Sequence, residues 1–209
     1  MARDLRVGII GANARGGWAG EAHVPAVQGV AGLELTAVAT NSRETADESA
    51  HAFGVGKAYA NGAALIADPD IDIVTVATRV PDHHALVLSA AAAGKHIYSE
   101  WPLGRSTKES WDMAQAVKAA NIHGVIGLQL RGSPAVATAR RRLGNNTIGR
   151  VLSVRAYSST AGFGPKVAPP FAYLEDPKSF ANLVTIQGAH TLDLLLALAG
   201  PAEKVVALL

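Results

Sequence analysis

The 209-residue sequence contains no cysteine, which removes disulfides, thiolate metal sites and cysteine nucleophiles from consideration. No apolar run approaches the roughly 18–20 residues needed to span a bilayer. The opening "MARDLRVGII" passes straight into a strand pattern, without the layout of a signal peptide. These absences fit a reducing compartment, so the expected location is cytoplasmic, or nuclear if the protein is regulatory. Excess charge is also missing. A net charge of +2 is too small to argue for a nucleic-acid partner, and no membrane partner is expected. The one basic run, Arg140-Arg141-Arg142, falls in a helical stretch and reads as a solvated face. Internal repeats and low-complexity segments are lacking as well.

Hydrophobic residues make up 49% of the chain and charged residues 17%, the balance of a well-buried globular protein. The length holds one large domain, or one domain and part of a second. Short apolar, β-branched runs alternate with helical stretches, the pattern of βαβ units around a parallel sheet. "LRVGII" and "LELTAVA" read as the first two strands, and "DIVTVAT", "KHIYS" and "HGVIGLQ" as later ones. Their near-continuous hydrophobicity predicts burial on both faces. Arg43 to Phe53 predicts a helix stopped by Gly54, and Pro81 opens an alanine-rich helix that Gly94 ends. Ser106-Thr-Lys-Glu109 is a capping box for a helix running to about Ala120.

The pattern changes near residue 128. Ser133-Pro134 predicts a helix to about Leu143, "GRVLSVRAYSS" a strand, and "TAGFGPKVAPPF" a loop. "QGAHTLDLLLALAG" is apolar nearly all round and predicts a buried helix, and "KVVALL" predicts a closing strand. The expected fold is α/β: a doubly wound parallel-sheet Rossmann domain over residues 1–128, then the incomplete start of an α+β substrate or partner domain over 129–209. An unfinished sheet leaves an unpaired edge and exposed apolar side chains. The chain is therefore expected to be a homo-oligomer at full length, and to associate or dissolve poorly as it stands.

After the first strand comes "GIIGANARGGWAGEAHVPAV", with glycines at 11, 16, 17 and 20 where a strand turns into a helix. Residues without side chains let backbone N–H groups and the positive helix end approach a pyrophosphate. Asn13 stands where a strict G-x-G-x-x-G would have its second glycine, and a plain tight turn is the competing explanation. Arg15 either reaches a phosphate or faces solvent. At the end of the second strand a NAD-selective fold carries an acid for the ribose hydroxyls; here the chain reads "VATNSRET". Thr40, Asn41, Ser42 and Arg43 offer neutral donors and a guanidinium, which suit the 2′-phosphate of NADP. The alternative has Ser42 merely capping the next helix and Arg43 in solvent.

These stretches carry a resemblance. "RVGIIGA…HVPAV", "DIDIVTVATRVPDHH", "AAAGKHIYSEWPLG" and "GAHTLDLL" resemble, in order and spacing, the glucose–fructose oxidoreductase, inositol dehydrogenase and rhizopine-catabolism (Gfo/Idh/MocA) family of NAD(P)-dependent oxidoreductases. The resemblance implies a nucleotide domain followed by the first part of a domain built on a large open sheet. Within it, "ARGGWAGEAH", "RVPDHH" and "EWPLG" are similar to the branch containing the fungal galactose-pathway transcriptional repressor, a nucleotide-responsive protein–protein switch. The family signature Glu-Lys-Pro is here Glu100-Trp101-Pro102, and the aspartate four residues before the family histidine is here Ile186, ahead of His190. An indole donates one hydrogen bond but is neither a base nor a charge, and losing one such electrostatic group costs about 10²–10³ in rate.

The cofactor, NADP or else NAD, is accordingly expected at Gly11, Asn13, Arg15, Gly16, Gly17, Thr40, Asn41, Ser42, Arg43, Thr78, His83, Glu100 and Trp101. Trp18 belongs to the same set by position, although packing is the simpler role for Trp18 and Trp111. His83 matches a family histidine beside the nicotinamide; a surface histidine at a helix start is its alternative. His190 and Glu100 remain the candidate catalytic groups. His190 and Asp193 lie one turn apart and can meet, but no metal site is expected. Three functions stay open: an oxidoreductase acting on a sugar or polyol, a non-catalytic switch whose dinucleotide sets what a protein partner sees, and an inactive fragment.

Overall fold

The computed structural model describes residues 3–160, 166–167 and 169–208. Leu5–Ile10 (β1), Leu33–Ala39 (β2), Lys57–Tyr59 (β3), Ile73–Val76 (β4), His96–Ser99 (β5) and Gly124–Ile126 (β6) form one sheet in the order β3-β2-β1-β4-β5-β6. Every neighbouring pair is parallel. The winding reverses between β1 and β4, so the loops leaving these strands part and open a crevice at the sheet's C-terminal edge.

Alternation along the strands divides their side chains between two cores. Val7, Ile9 and Val38 pack with Val24 and Val27, whereas Ile10, Ala37 and Ala39 pack with Leu65, Val87 and Met113. Both faces of the central strands are buried, which is why they read as unbroken apolar runs; edge strand β6, expected to be buried likewise, is instead exposed along its length, since it has a neighbour on one side only. Each buried Val or Ile contributes ~1.5–3 kcal/mol.

The covering helices are α1 (Val24–Gly29), α2 (Arg43–Phe53), α3 (Gly62–Ile66), α4 (Val80–Ala92) and α5 (Thr107–Ala119). Their ends follow the cap residues. The Ser42 hydroxyl accepts from the Thr45 N–H and that of Ser106 from the Glu109 N–H, both at 3.2 Å. The Glu109 carboxylate reaches back to the N–H of Arg105 at 2.8 Å, one residue before the expected partner. Helix α4 starts at Val80, a residue ahead of Pro81. Strand β3 was not legible beforehand, because three partly buried residues carry too little pattern. At the other edge of the sheet an ionic network ties Arg3 and Arg6 to Asp72, and Lys57 to Asp68 and Asp70.

The chain divides into two compact units, Met1–Gly127 and Leu128–Leu209. In the second, α6 (Pro134–Gly144) starts at Ser133, whose hydroxyl accepts from the Val136 N–H at 3.2 Å. Helix α7 (Ala189–Ala199) follows a π-helical turn over Val184–Gly188. Three expectations are corrected here. Residues 149–159 and 204–208 are not strands, and the last residue of the expected closing strand lies outside the described residues; a strand needs a hydrogen-bonded neighbour and the described residues of this unit supply none. Nor is α7 buried: Leu192 is 59% and Leu196 41% exposed, because so small a unit lacks the surface to cover a helix apolar on every side. The expected loop over 160–171 falls partly outside the described residues. Among the described residues no helix is long and apolar enough to cross a membrane.

Candidate functional site

Gly11 ends β1 with φ +93°, a left-handed backbone that disfavours any side chain. A Cβ there would stand 2.3 Å from the carbonyl oxygen of Ala77, at the end of β4. The chain then forms an open crown. Gly16 and Gly17 also have positive φ, with nothing near the place of a Cβ. On the α2 side the loop is tied down by the Ala14 N–H, which donates to Ser49 Oγ at 3.0 Å. Arg15 is neither free in solvent nor directed into the crevice: its guanidinium meets Glu44 and Glu48, each at 2.7 Å.

Beside Gly11 lies a cavity of about 640 Å³, lined in part by Asn13, Thr40, Asn41 and Thr78. Five of the expected cofactor residues are thereby brought together at the switch point. Asn61, Arg79 and Asp82 also line it and were missed. Asn61 was hidden with β3, whose end it follows; Arg79 and Asp82 sit at the start of α4, where strand-end position was the available signal. No acid occupies the end of β2. Thr40 Oγ1 instead donates to Ser42 O at 3.0 Å, and Ser42 caps α2. Arg43 does not line this cavity; its guanidinium pairs with Asp47 and donates to Ala58 O at 3.1 Å.

His83 is not a surface residue. It is 1% exposed, with Nδ1 3.0 Å from Pro102 O and Nε2 3.1 Å from Thr78 O. The ring thus bridges the loops leaving β4 and β5, although a neutral imidazole can donate to only one of these carbonyls. Trp18 and Trp111 are not core residues either, being 50% and 65% exposed. The Trp18 indole N–H donates to Glu100 Oε1 at 3.3 Å, and His23 Nε2 donates to the same oxygen at 2.6 Å. His23 also meets Tyr98 edge-on, with ring centroids 5.1 Å apart. Burial, and then the Glu100 carboxylate, push the Tyr98 phenol above its usual range. Glu100 is therefore bonded within the protein. Trp101 follows it, partly buried.

In the second unit His190 and Asp193 do not pair. Both Asp193 oxygens accept from Arg131 Nε at 2.7 Å, and Arg131 Nη2 lies 2.6 Å from Oδ1. A guanidinium fork outcompetes one imidazole for a carboxylate. His190 Nδ1 is buried without a hydrogen-bond partner among the described residues. Ile186 lies in the π-helical turn before α7 and offers no acid.

A left-handed glycine against β4, a crevice at the reversal of winding and open backbone at the loop crown fit a dinucleotide. Residues 5–127 match the model of the oxidoreductase family with an NAD-binding Rossmann fold, and residues 134–209 match that of the Gal80p C-terminal domain. The chain belongs to the Gfo/Idh/MocA oxidoreductase family, with a second unit of the Gal80 type. It is 37% identical over 161 residues to levoglucosan dehydrogenase of Pseudarthrobacter phenanthrenivorans, an overlap of 73% of this chain and 40% of that protein. It is 32% identical over 169 residues to dehydrogenase aclE of Aspergillus oryzae, covering 80% and 46%. To the galactose/lactose metabolism regulatory protein GAL80 of Saccharomyces cerevisiae it is 25% identical over 206 residues, covering 93% and 47%. The chain thus spans less than half the length of these relatives. The structure of levoglucosan dehydrogenase in complex with NADH and levoglucosan superposes with a TM-score of 0.86 at 31% identity, over 95% of this chain and 55% of that one.

Proposed function

We propose that the protein binds a nicotinamide dinucleotide, NADP(H) in preference to NAD(H), at a site largely released from dehydrogenase chemistry. The observation carrying this reading is the site's composition: a crevice walled by Gly11, Asn13, Thr40, Asn41 and Thr78 with no acid at the end of β2, in a chain that has Trp101 where the family resemblance implies a lysine. Gly11 and the loop N–H groups would hold the pyrophosphate, Thr40 and Asn41 the adenosine ribose, and Arg43 the 2′-phosphate. Arg43 would leave Asp47 to do so, and an exposed pair of this kind is weak enough to exchange.

When bound, the dinucleotide supplies a hydride donor or acceptor. Alcohol oxidation also needs a base for the hydroxyl proton and positive charge at the developing alkoxide. Trp101 offers neither, Ile186 is inert, and Glu100 is engaged by His23 and Trp18. Slow or absent turnover of sugars and polyols follows.

The Gal80-type second unit favours a second reading, in which the dinucleotide sets what a protein partner sees. Titration with NADPH and NADH, followed by fluorescence and by 340-nm absorbance over time with sugars, polyols and inositols, tests both. Tight binding without turnover supports the proposal. Rapid turnover returns the protein to the working dehydrogenases, and failure of both nucleotides to bind removes both readings.

A further inference from the structure

The glycine-rich loop is free at its crown and held at two shoulders. One shoulder is the contact with α2 through Ser49 and Arg15. The other is a single carboxylate oxygen, Glu100 Oε1, which receives the Trp18 N–H from the end of the loop and the His23 N–H from the π-helical turn Ala19–His23 that follows it. We propose that Glu100 is a positioning residue: a clasp that fixes the loop's C-terminal shoulder to the end of β5 and so presets the backbone that receives the dinucleotide phosphates.

Several features make the clasp specific. The Glu100 side chain is 14% and the His23 side chain 13% exposed, so the bond is shielded from water and worth more than a surface pair. Tyr98, one residue before Glu100, packs edge-on against His23 and restricts the ring. Gly127 makes room behind the carboxylate, since a Cβ there would stand 2.6 Å from Glu100 Oε2. Trp18, His23 and Gly127 thus adjoin one carboxylate, and Tyr98 braces His23. A group engaged in this way acts through the loop, not on a substrate. The half-exposed Trp18 indole is held by the same oxygen, at the same end of the sheet as the crevice.

The loop readout is independent of the dinucleotide reading, whereas the affinity readout rests on it. Amide hydrogen exchange without nucleotide, and NADPH and NADH affinities, are measured for the unmodified chain, Glu100→Ala, Glu100→Gln, His23→Ala and the Glu100→Ala/His23→Ala double variant. Glu100→Ala is expected to speed exchange over residues 13–23 at least about tenfold while leaving β1 unchanged, and to weaken nucleotide binding by a similar factor. Glu100→Gln keeps an acceptor oxygen and should stay within about threefold. The double variant should be no worse than Glu100→Ala, because one contact is being removed twice. Loop exchange within about twofold of the unmodified chain, or additive effects of the two single changes, would overturn the clasp. Should Glu100→Ala fail to fold, His23→Ala decides by the same loop-confined acceleration. If the unmodified chain binds neither nucleotide yet Glu100→Ala frees the loop, the clasp stands and the dinucleotide reading falls.

Discussion

A Cβ on Gly11 would stand 2.3 Å from the carbonyl oxygen of Ala77, where the chains leaving β1 and β4 pass each other. The oxygen belongs to backbone whose own N–H is bonded to Ile10 O at 2.9 Å, so it cannot simply swing aside. Gly11→Ala adds this clash to a left-handed backbone already unfavourable for alanine. A loss of at least ~2 kcal/mol in stability is expected, together with weaker nucleotide binding. Urea denaturation checks it, and an unchanged midpoint would contradict the close approach.

Acid should loosen the opposite edge of the sheet. Hydrogen bonds from Arg3 and then Arg6 hold the Asp72 carboxyl far below the usual carboxylate range. Burial raises Asp68, but bonds from Lys57 and Tyr59 outweigh it and leave the group at about 2. Both carboxyls are depressed relative to about 3.9 in the unfolded chain. Their contribution is therefore complete above about pH 4 and drains away as pH falls towards 2. Urea midpoints measured across this range should fall with acid, and Asp72→Asn should flatten the profile. Parallel profiles for the two proteins would refute the assignment.

Cofactor choice should respond to Arg43. NADPH is expected to bind more tightly than NADH, and Arg43→Ala to narrow the difference by about tenfold, the scale of a charge-assisted hydrogen bond. Fluorescence titration of both nucleotides measures it. Equal affinities in the unmodified chain would show that the missing acid at the end of β2 has no such consequence.

Trp101 offers a test of the proposed release from dehydrogenase chemistry. Trp101→Ala should weaken dinucleotide binding, since an aromatic face near the nicotinamide can stack on it, and should remove no turnover. Trp101→Lys combined with Ile186→Asp restores an ammonium and a carboxylate at the two family positions. Traces of sugar or polyol oxidation are expected from the double variant, read as NADPH formation at 340 nm. Robust turnover by the unmodified chain would instead mean that another group serves as the base.

The bare face of α7 should drive self-association. Leu192 and Leu196 lie one turn apart and are largely exposed, so light scattering should find oligomers or aggregates. Leu192→Lys with Leu196→Lys should raise the monomer fraction. A monodisperse unmodified monomer would show that this surface is too small to matter.

Much of the first unit was legible because its determinants are local. Unbroken β-branched runs specify strands buried on both faces, and Ser42, Ser106, Gly54 and Gly94 mark helix ends through their own hydrogen bonds or backbone angles. The glycine loop and the missing acid at Thr40–Asn41 were readable for the same reason, since each depends on residue type at a strand end. Strand β3 was not, and Asn61 went unseen with it.

Pairings between distant segments were beyond the reach of residue type. That Arg15 meets Glu44 and Glu48, that Asp193 belongs to Arg131 and not His190, and that His83 is buried between two carbonyls all follow from where separate elements dock. The second unit makes the point in reverse: "GRVLSVRAYSS" and "KVVALL" have strand composition, but strand propensity becomes structure only where a neighbouring strand takes up the hydrogen bonds. The sequence by itself determined the doubly wound parallel class of sheet, five of its six strands and the family. Tertiary structure decided which carboxylates are engaged, and above all that Glu100 lies against His23 and Trp18, because a hydrogen bond across 77 residues depends on the docking of whole elements.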